Sequence, residues 1–196
     1  MIKAALTGSM GSGKTTALAF FKKCGAVTAS SDEWVHEEFA SNASLRASLA
    51  RAFGASVVKG SAIDRKALAE VVFCYPSKLK RLNALIHPLV KRRLFGFFKK
   101  NRSKPLVVVE VPLLFEAKFD RFFDLTIGVA TDPHEQRSRS LRRGKAYVAE
   151  VRRRMRCQLD AEEKISRCDF VIDNSSTRKK TFQQINKLME VKLWKS

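Results

Sequence analysis

The run Gly8-Ser9-Met10-Gly11-Ser12-Gly13-Lys14-Thr15 satisfies the pattern G-x-x-x-x-G-K-[ST]. Its residue types are those of an anion cradle. Glycines take positive φ and let the backbone come close to a phosphate. Successive N–H groups, with the start of the helix that follows, then point at that anion. Lys14 reaches the β- and γ-phosphates of a nucleoside triphosphate, and the Thr15 hydroxyl is a ligand for Mg²⁺. A Gly-rich turn that happens to precede a lysine is the bland alternative. Against it, an apolar strand-like run, Ile2–Thr7, precedes the motif, and a helical segment that closes on Gly25 follows it. The motif predicts nucleoside triphosphate binding and leaves the acceptor open.

Four further features bear on the acceptor. Asp32 follows the second strand candidate, at the edge of an open parallel sheet where ligands sit. Its carboxylate suits a general base for an attacking hydroxyl, and it equally suits a helix N-cap. The segment from His134 to Leu159 carries Arg137, Arg139, Arg142, Arg143, Arg152, Arg153, Arg154 and Arg156, interrupted by Gly144. Guanidinium groups neutralise charge in phosphoryl transfer, so two helices of a hinged lid fit this pattern, as does a solvated basic face. His87, before Pro88, reads either as a site residue or as a structural histidine. Glu116 either faces the site or pairs with a nearby lysine.

These groups need a scaffold. Strand patterns occur at Ile2–Thr7, Ala26–Ala29, Leu106–Val111, Asp124–Ala130 and Asp169–Asp173, alternating with helical ones. That order predicts a parallel sheet covered on both faces. The gap between the second and third strands, roughly 75 residues, is far longer than one crossover helix needs. It reads as an inserted helical lobe, with Leu45, Leu49 and Phe53, then Leu68, Val71 and Val72, at helical spacing. Pro76 and Pro88 mark helix starts or bends, Val90–Phe98 reads as a further helix, and Thr177–Leu193 as a C-terminal amphipathic one.

Composition sets the outer bounds. The chain has 196 residues, 45% hydrophobic and 29% charged, which fits one globular domain with an insertion. No apolar run is long enough to cross a bilayer, and the N-terminal run is too short for a signal peptide, so the cytoplasm is the expected compartment. Cys24, Cys74, Cys157 and Cys168 form no C-x-x-C pair and read as packed thiols. The net charge of +19 attracts polyanions. A nucleic-acid-binding ATPase is therefore a rival reading, but the basic residues are dispersed and no motif of stacking aromatics accompanies them.

Taken in order, the motifs resemble the dephospho-CoA kinase family over nearly the whole chain. ALTGSMGSGKTTALAFF resembles its loop and first helix. Asp32 follows the second strand; then come Phe53-Gly54, Gly60 with Asp64-Arg65, LNALIHPLV, VPLLFE, a Gln- and Arg-rich lid from Gln136 to Gln158, and Val171–Asn174 (VIDN). LNALIHPL and PLLFE set it apart from nucleoside monophosphate and shikimate kinases. The resemblance implies a three-layer α/β/α P-loop fold of nucleoside-kinase type with a five-stranded parallel sheet. It implies a nucleotide core over 1–32 and 105–196, a helical acceptor lobe over 33–104 and a mobile Arg-rich lid over 134–160. The implied reaction moves the γ-phosphate of ATP to the ribose 3′-hydroxyl of dephospho-CoA, with Mg²⁺. ATP and dephospho-CoA are then the partners; no specific nucleic acid and no membrane are expected, and a monomer is the default. By residue, Gly8, Gly11, Ser12, Gly13, Lys14, Thr15 and Thr16 would hold the phosphates, Thr15 with waters the Mg²⁺, and Asn174 would lie near the adenine. Asp32 would be the base; Arg65, His87, Pro112 and Leu113 would lie toward the acceptor; Lys14 and Arg143, the latter in the lid, would assist transfer. Three departures stand out. The family usually shows two aspartates flanking one residue after the second strand, and here the first is Ser30. Glu110 stands before VPLLFE where Asp is common, and the lid is unusually rich in Arg.

Overall fold

The computed structural model describes residues 1–72, 75–142 and 159–190. Along it run β1 (Ile2–Thr7), α1 (Lys14–Lys23), β2 (Val27–Ser30), α2 (Ser31–Ser41), α3 (Ala43–Phe53), β3 (Val58–Lys59), β4 (Ala62–Ile63), α4 (Arg65–Val72) and α5 (Pro76–Lys100). There follow β5 (Leu106–Glu110), β6 (Leu125–Ala130), α6 (Pro133–Arg142), α7 (Ala161–Ser166), β7 (Phe170–Asp173) and α8 (Arg178–Glu190). β1, β2, β5, β6 and β7 form one parallel sheet in the order β2-β5-β1-β6-β7. The five strands expected from the sequence are the five observed, each within a residue or two of its expected ends.

Side-chain alternation divides the sheet into two faces. Ala4 and Leu6 of β1, Leu106 and Val108 of β5, and Ile127 and Val129 of β6 share one buried cluster with Ala17, Phe20 and Phe21 of α1 and Ile185 of α8. The alternate residues Ala5, Val107 and Val109 are also fully buried, on the opposite side. There Gly128 of β6 meets Ile165 and Cys168, at and just beyond the end of α7. Burial on both faces explains why β5 reads as an unbroken apolar run rather than an alternating one.

Two compact units result: residues 1–30 with the described chain from Phe98 onward, and Ser31–Phe97. The insertion expected over 33–104 thus begins and ends earlier. Ser31 already opens α2. Phe98 stands edge-to-face on Phe123 at 5.6 Å, with Lys3 above its ring at 5.7 Å, so the last turn of α5 belongs with the sheet.

In the Ser31–Phe97 unit, Leu45, Leu49, Val57, Ile63, Leu68 and Val72 are buried. Asn42 caps α3 by accepting from the Leu45 N–H at 2.9 Å. Asp64 caps α4 by accepting from the Lys66 and Ala67 N–H groups, both at 3.0 Å. Trp34 packs on Phe97, and Glu37 pairs with Arg93. The sequence reading missed the antiparallel β3–β4 hairpin, whose strands of two residues are too short to show a period. It also split α5 at Pro88. Proline removes one backbone donor, but Ile86, Val90 and Leu94 keep a buried stripe across it, and this packing holds the helix together. Among the described residues no helix is long and apolar enough to cross a membrane.

Candidate active site

β1 ends in the phosphate-loop motif at the carboxyl edge of the sheet, beside the ends of β5 and β6. Two glycines are obligatory there. Gly8 has φ 151°, and a Cβ on it would lie 2.6 Å from the Val129 carbonyl oxygen. Gly13 has φ 93°, and a Cβ on it would lie 2.0 Å from Asn174 Nδ2. Gly13 is also the N-cap of α1, so the loop runs directly into a helix N-terminus.

Lys14 is buried, and its Nζ donates to the carbonyls of Gly8 at 3.1 Å and Ser9 at 3.0 Å. Thr15, next along α1, is exposed, and Thr16 is half-buried. Ser12 is fully buried, and its carbonyl accepts from Asn174 Nδ2 and from Thr131 Oγ1, each at 2.7 Å. Gln136 of α6 donates to Ser9 Oγ at 3.3 Å and to the Met10 carbonyl.

Asn174 follows β7 directly and is buried. Its Oδ1 accepts from Thr181 Oγ1 at 2.9 Å, and its own carbonyl accepts from Arg139 Nη2 at 2.8 Å. Expected near the adenine, Asn174 thus turns its carboxamide to the loop and to α8.

The loop after β5 is held differently. Lys164 is 1% exposed, and its Nζ donates to the Pro112 carbonyl and to Glu116 Oε1, both at 2.8 Å. The same Glu116 oxygen accepts from the Leu159 N–H at 3.0 Å. Of the two alternatives for Glu116, the structure shows pairing with a lysine. Pro112 and Leu113 are half-buried. Ser30 and Glu110 stand opposite each other in the β2–β5 register, both buried.

Asp32, Arg65 and His87 lie in the Ser31–Phe97 unit. Asp32 is exposed in the first turn of α2, which Ser31 opens, so it is not the N-cap; a carboxylate there is favoured by the helix dipole. Arg65 donates to His36 Nδ1 at 3.1 Å. Burial lowers the pKa of His87 below the usual imidazole value, which keeps it neutral near pH 7. Arg143 and the rest of the expected lid up to residue 158 lie outside the described residues, as do Cys74 and Cys157.

The donor set fits Mg²⁺ bound through a nucleotide. Among the described residues no group of three or more His, Cys, Asp or Glu side chains could cage a metal. The exposed Thr15 hydroxyl offers one hard oxygen beside the glycine-rich loop. Magnesium keeps most of its waters and takes the rest of its shell from substrate phosphates.

Sequence reasoning missed Thr131, Thr181 and Lys164. Thr131 carried a faint signal, as a hydroxyl at the end of a strand in the Thr131-Asp132-Pro133 turn. Nothing in the sequence separates Lys164 from solvent-facing lysines.

A family model described as dephospho-CoA kinase matches residues 2–180. The chain is 33% identical to the dephospho-CoA kinase of Rhizobium meliloti over 192 residues, covering 97% of each protein. Its structure superposes on a crystal structure from Thermus thermophilus with TM-score 0.82 and 33% identity, covering 95% of each chain. On the dephospho-CoA kinase from Campylobacter jejuni the TM-score is 0.70 at 25% identity, covering 98% of this chain and 97% of that one. The loop, the strand order and these likenesses run together along nearly the whole sequence, and the chain belongs to the dephospho-CoA kinase family.

Proposed function

We propose that this chain transfers the γ-phosphoryl group of ATP to the ribose 3′-hydroxyl of dephospho-CoA, the last step of coenzyme A synthesis, through the residues that follow. The observation that carries the reading is the loop of residues 8–13 between β1 and α1, with Lys14, the first residue of α1, folded onto its carbonyls. The loop amides and the N-terminus of α1 bind the β- and γ-phosphates. When the anion arrives, Lys14 exchanges the Gly8 and Ser9 carbonyls for phosphate oxygens. It then stabilises the charge that shifts toward the leaving oxygen. Thr15 Oγ1 would be a protein ligand of Mg²⁺, which when bound would supply neutralisation of phosphate charge.

Asp32 accepts the proton of the attacking hydroxyl. Its exposure at the start of α2 leaves the carboxylate accessible to a substrate, as a base must be. Arg65 and His87 bind the acceptor, and Pro112 and Leu113 border it. Arg143 assists the transfer. A neutral His87 contributes a hydrogen bond rather than a charge.

The test is a coupled assay with ATP, Mg²⁺ and dephospho-CoA, run beside shikimate and nucleoside monophosphates. Phosphorylation of one of those instead of dephospho-CoA would overturn the reading. Asp32→Asn should lower kcat by about 10²-fold or more; near-normal turnover would remove Asp32 from the base role.

A further inference from the structure

One peptide group at the heart of the loop, the bond between Ser12 and Gly13, is held with unusual completeness. A carbonyl oxygen has two lone pairs. Both of those on Ser12 are engaged, by Asn174 Nδ2 and Thr131 Oγ1, each at 2.7 Å. Ser12 is 0% exposed, so water does not compete for them. The two donors come from adjacent strands: Thr131 directly follows β6 and Asn174 directly follows β7. The Asn174 N–H donates to the Ala130 carbonyl at 2.8 Å, which extends the β6–β7 ladder to the residue that does the holding.

The carboxamide of Asn174 is itself fixed. Thr181, fully buried on α8, donates its hydroxyl to Asn174 Oδ1. The Ser12 carbonyl can only accept, so the NH₂ end of the amide must face it, which leaves Oδ1 to accept from Thr181. The fit is close enough that Asn174 occupies the space where any side chain at residue 13 would stand.

In a trans peptide the C=O and the following N–H point in opposite directions. Two donors that pin the Ser12 carbonyl from the strand ends therefore aim the Gly13 N–H away from them. We infer that Asn174, backed by Thr181 and assisted by Thr131, is a positioning residue for ATP: it presets the Gly13 amide to donate to a nucleotide phosphate. This role rests on the nucleotide reading above and extends it to side chains that touch no phosphate. Preorganised donors bind without first having to reorient, so loss of the brace weakens the nucleotide and leaves the acceptor untouched.

The experiment is calorimetric titration of the full chain with ATP and, separately, with dephospho-CoA, well below the melting temperature. Asn174→Ala should raise the Kd of ATP about tenfold, the cost of one buried hydrogen bond. Its Kd for dephospho-CoA should stay within twofold of the original. If Asn174→Ala does not fold, Thr181→Val and Thr181→Ser carry the test. The first should weaken ATP severalfold, and the second, which keeps the hydroxyl, should restore it. Folded Asn174→Ala that binds ATP as the original does would overturn the inference while leaving the kinase reading intact. So would parallel losses for both substrates, or Thr181→Ser behaving like Thr181→Val. Failure of the unaltered chain to bind ATP would instead remove the reading beneath it.

Discussion

β1 and β5 lie side by side in the sheet, and each releases a loop at the same edge, yet the two loops are held by different chemistry. The loop after β1 is tied down by neutral donors from Thr131, Asn174 and Gln136, and Lys14, at the start of α1, folds back onto its carbonyls. The loop after β5 is gathered around a buried cation, Lys164, which joins the Pro112 carbonyl to the carboxylate of Glu116. The contrast follows from what each must do. A fixed carboxylate in the brace of a triphosphate cradle would oppose the ligand, whereas neutral amides and hydroxyls hold the backbone without opposing it. Where shape alone is required, a compensated ion pair serves, provided both partners stay.

The comparison breaks most visibly at Lys164. Lys164→Met leaves Glu116 without its counter-charge and should lower stability by about 3–5 kcal/mol, read by denaturant unfolding. Adding Glu116→Leu should recover most of that loss. ATP affinity in the folded fraction should be unchanged, and a matching loss there would mean that the two braces are not separate. Next in size is Lys14→Ala, which should lower kcat by about 10²-fold or more, close to 2.7 kcal/mol, while the thermal midpoint moves by only a few degrees. Gln136→Ala removes the donor to Met10 and should weaken ATP by about fivefold, near 1 kcal/mol, in the same titration. The smallest effect comes from outside both loops. Burial lowers the folded pKa of His87, so on acidification the unfolded chain takes up this proton first. Stability is then complete above the unfolded value of about 6.5 and is lost as pH falls below it toward the folded value. His87→Gln should flatten the dependence of the thermal midpoint on pH between about 7 and 5; an unchanged slope would assign it to other groups.

The sheet was legible because its signal is local: β5 is five buried residues in a row, rich in β-branched valine and closed by Pro112. The phosphate loop was legible for a related reason, since glycine and lysine at fixed offsets dictate backbone shape and charge wherever the motif occurs. The brace was not. Thr131, Asn174 and Thr181 meet only after β6, β7 and α8 have assembled, and Lys164 is told from an ordinary surface lysine only by what covers it. Asn174 shows both sides of this. Family likeness singled the residue out, and the folded structure was needed to see that its side chain faces Ser12 and Thr181. The sequence also overstated proline at residue 88, where burial of the flanking positions outweighs one missing donor.

Gly128 sits mid-strand in β6, where a methyl group would come within 2.7 Å of Ile165 Cδ1 and 3.1 Å of Cys168 Sγ. The bare backbone at that point sets how deeply α7 can settle onto the sheet. Lys164 is the immediate neighbour of Ile165, so the seat of α7 carries the group that grips the loop two strands away. A single missing carbon in one strand thereby leaves room for the helix that carries the grip on another, and any side chain at residue 128 would press on Ile165 and Cys168, the near neighbours of that lysine.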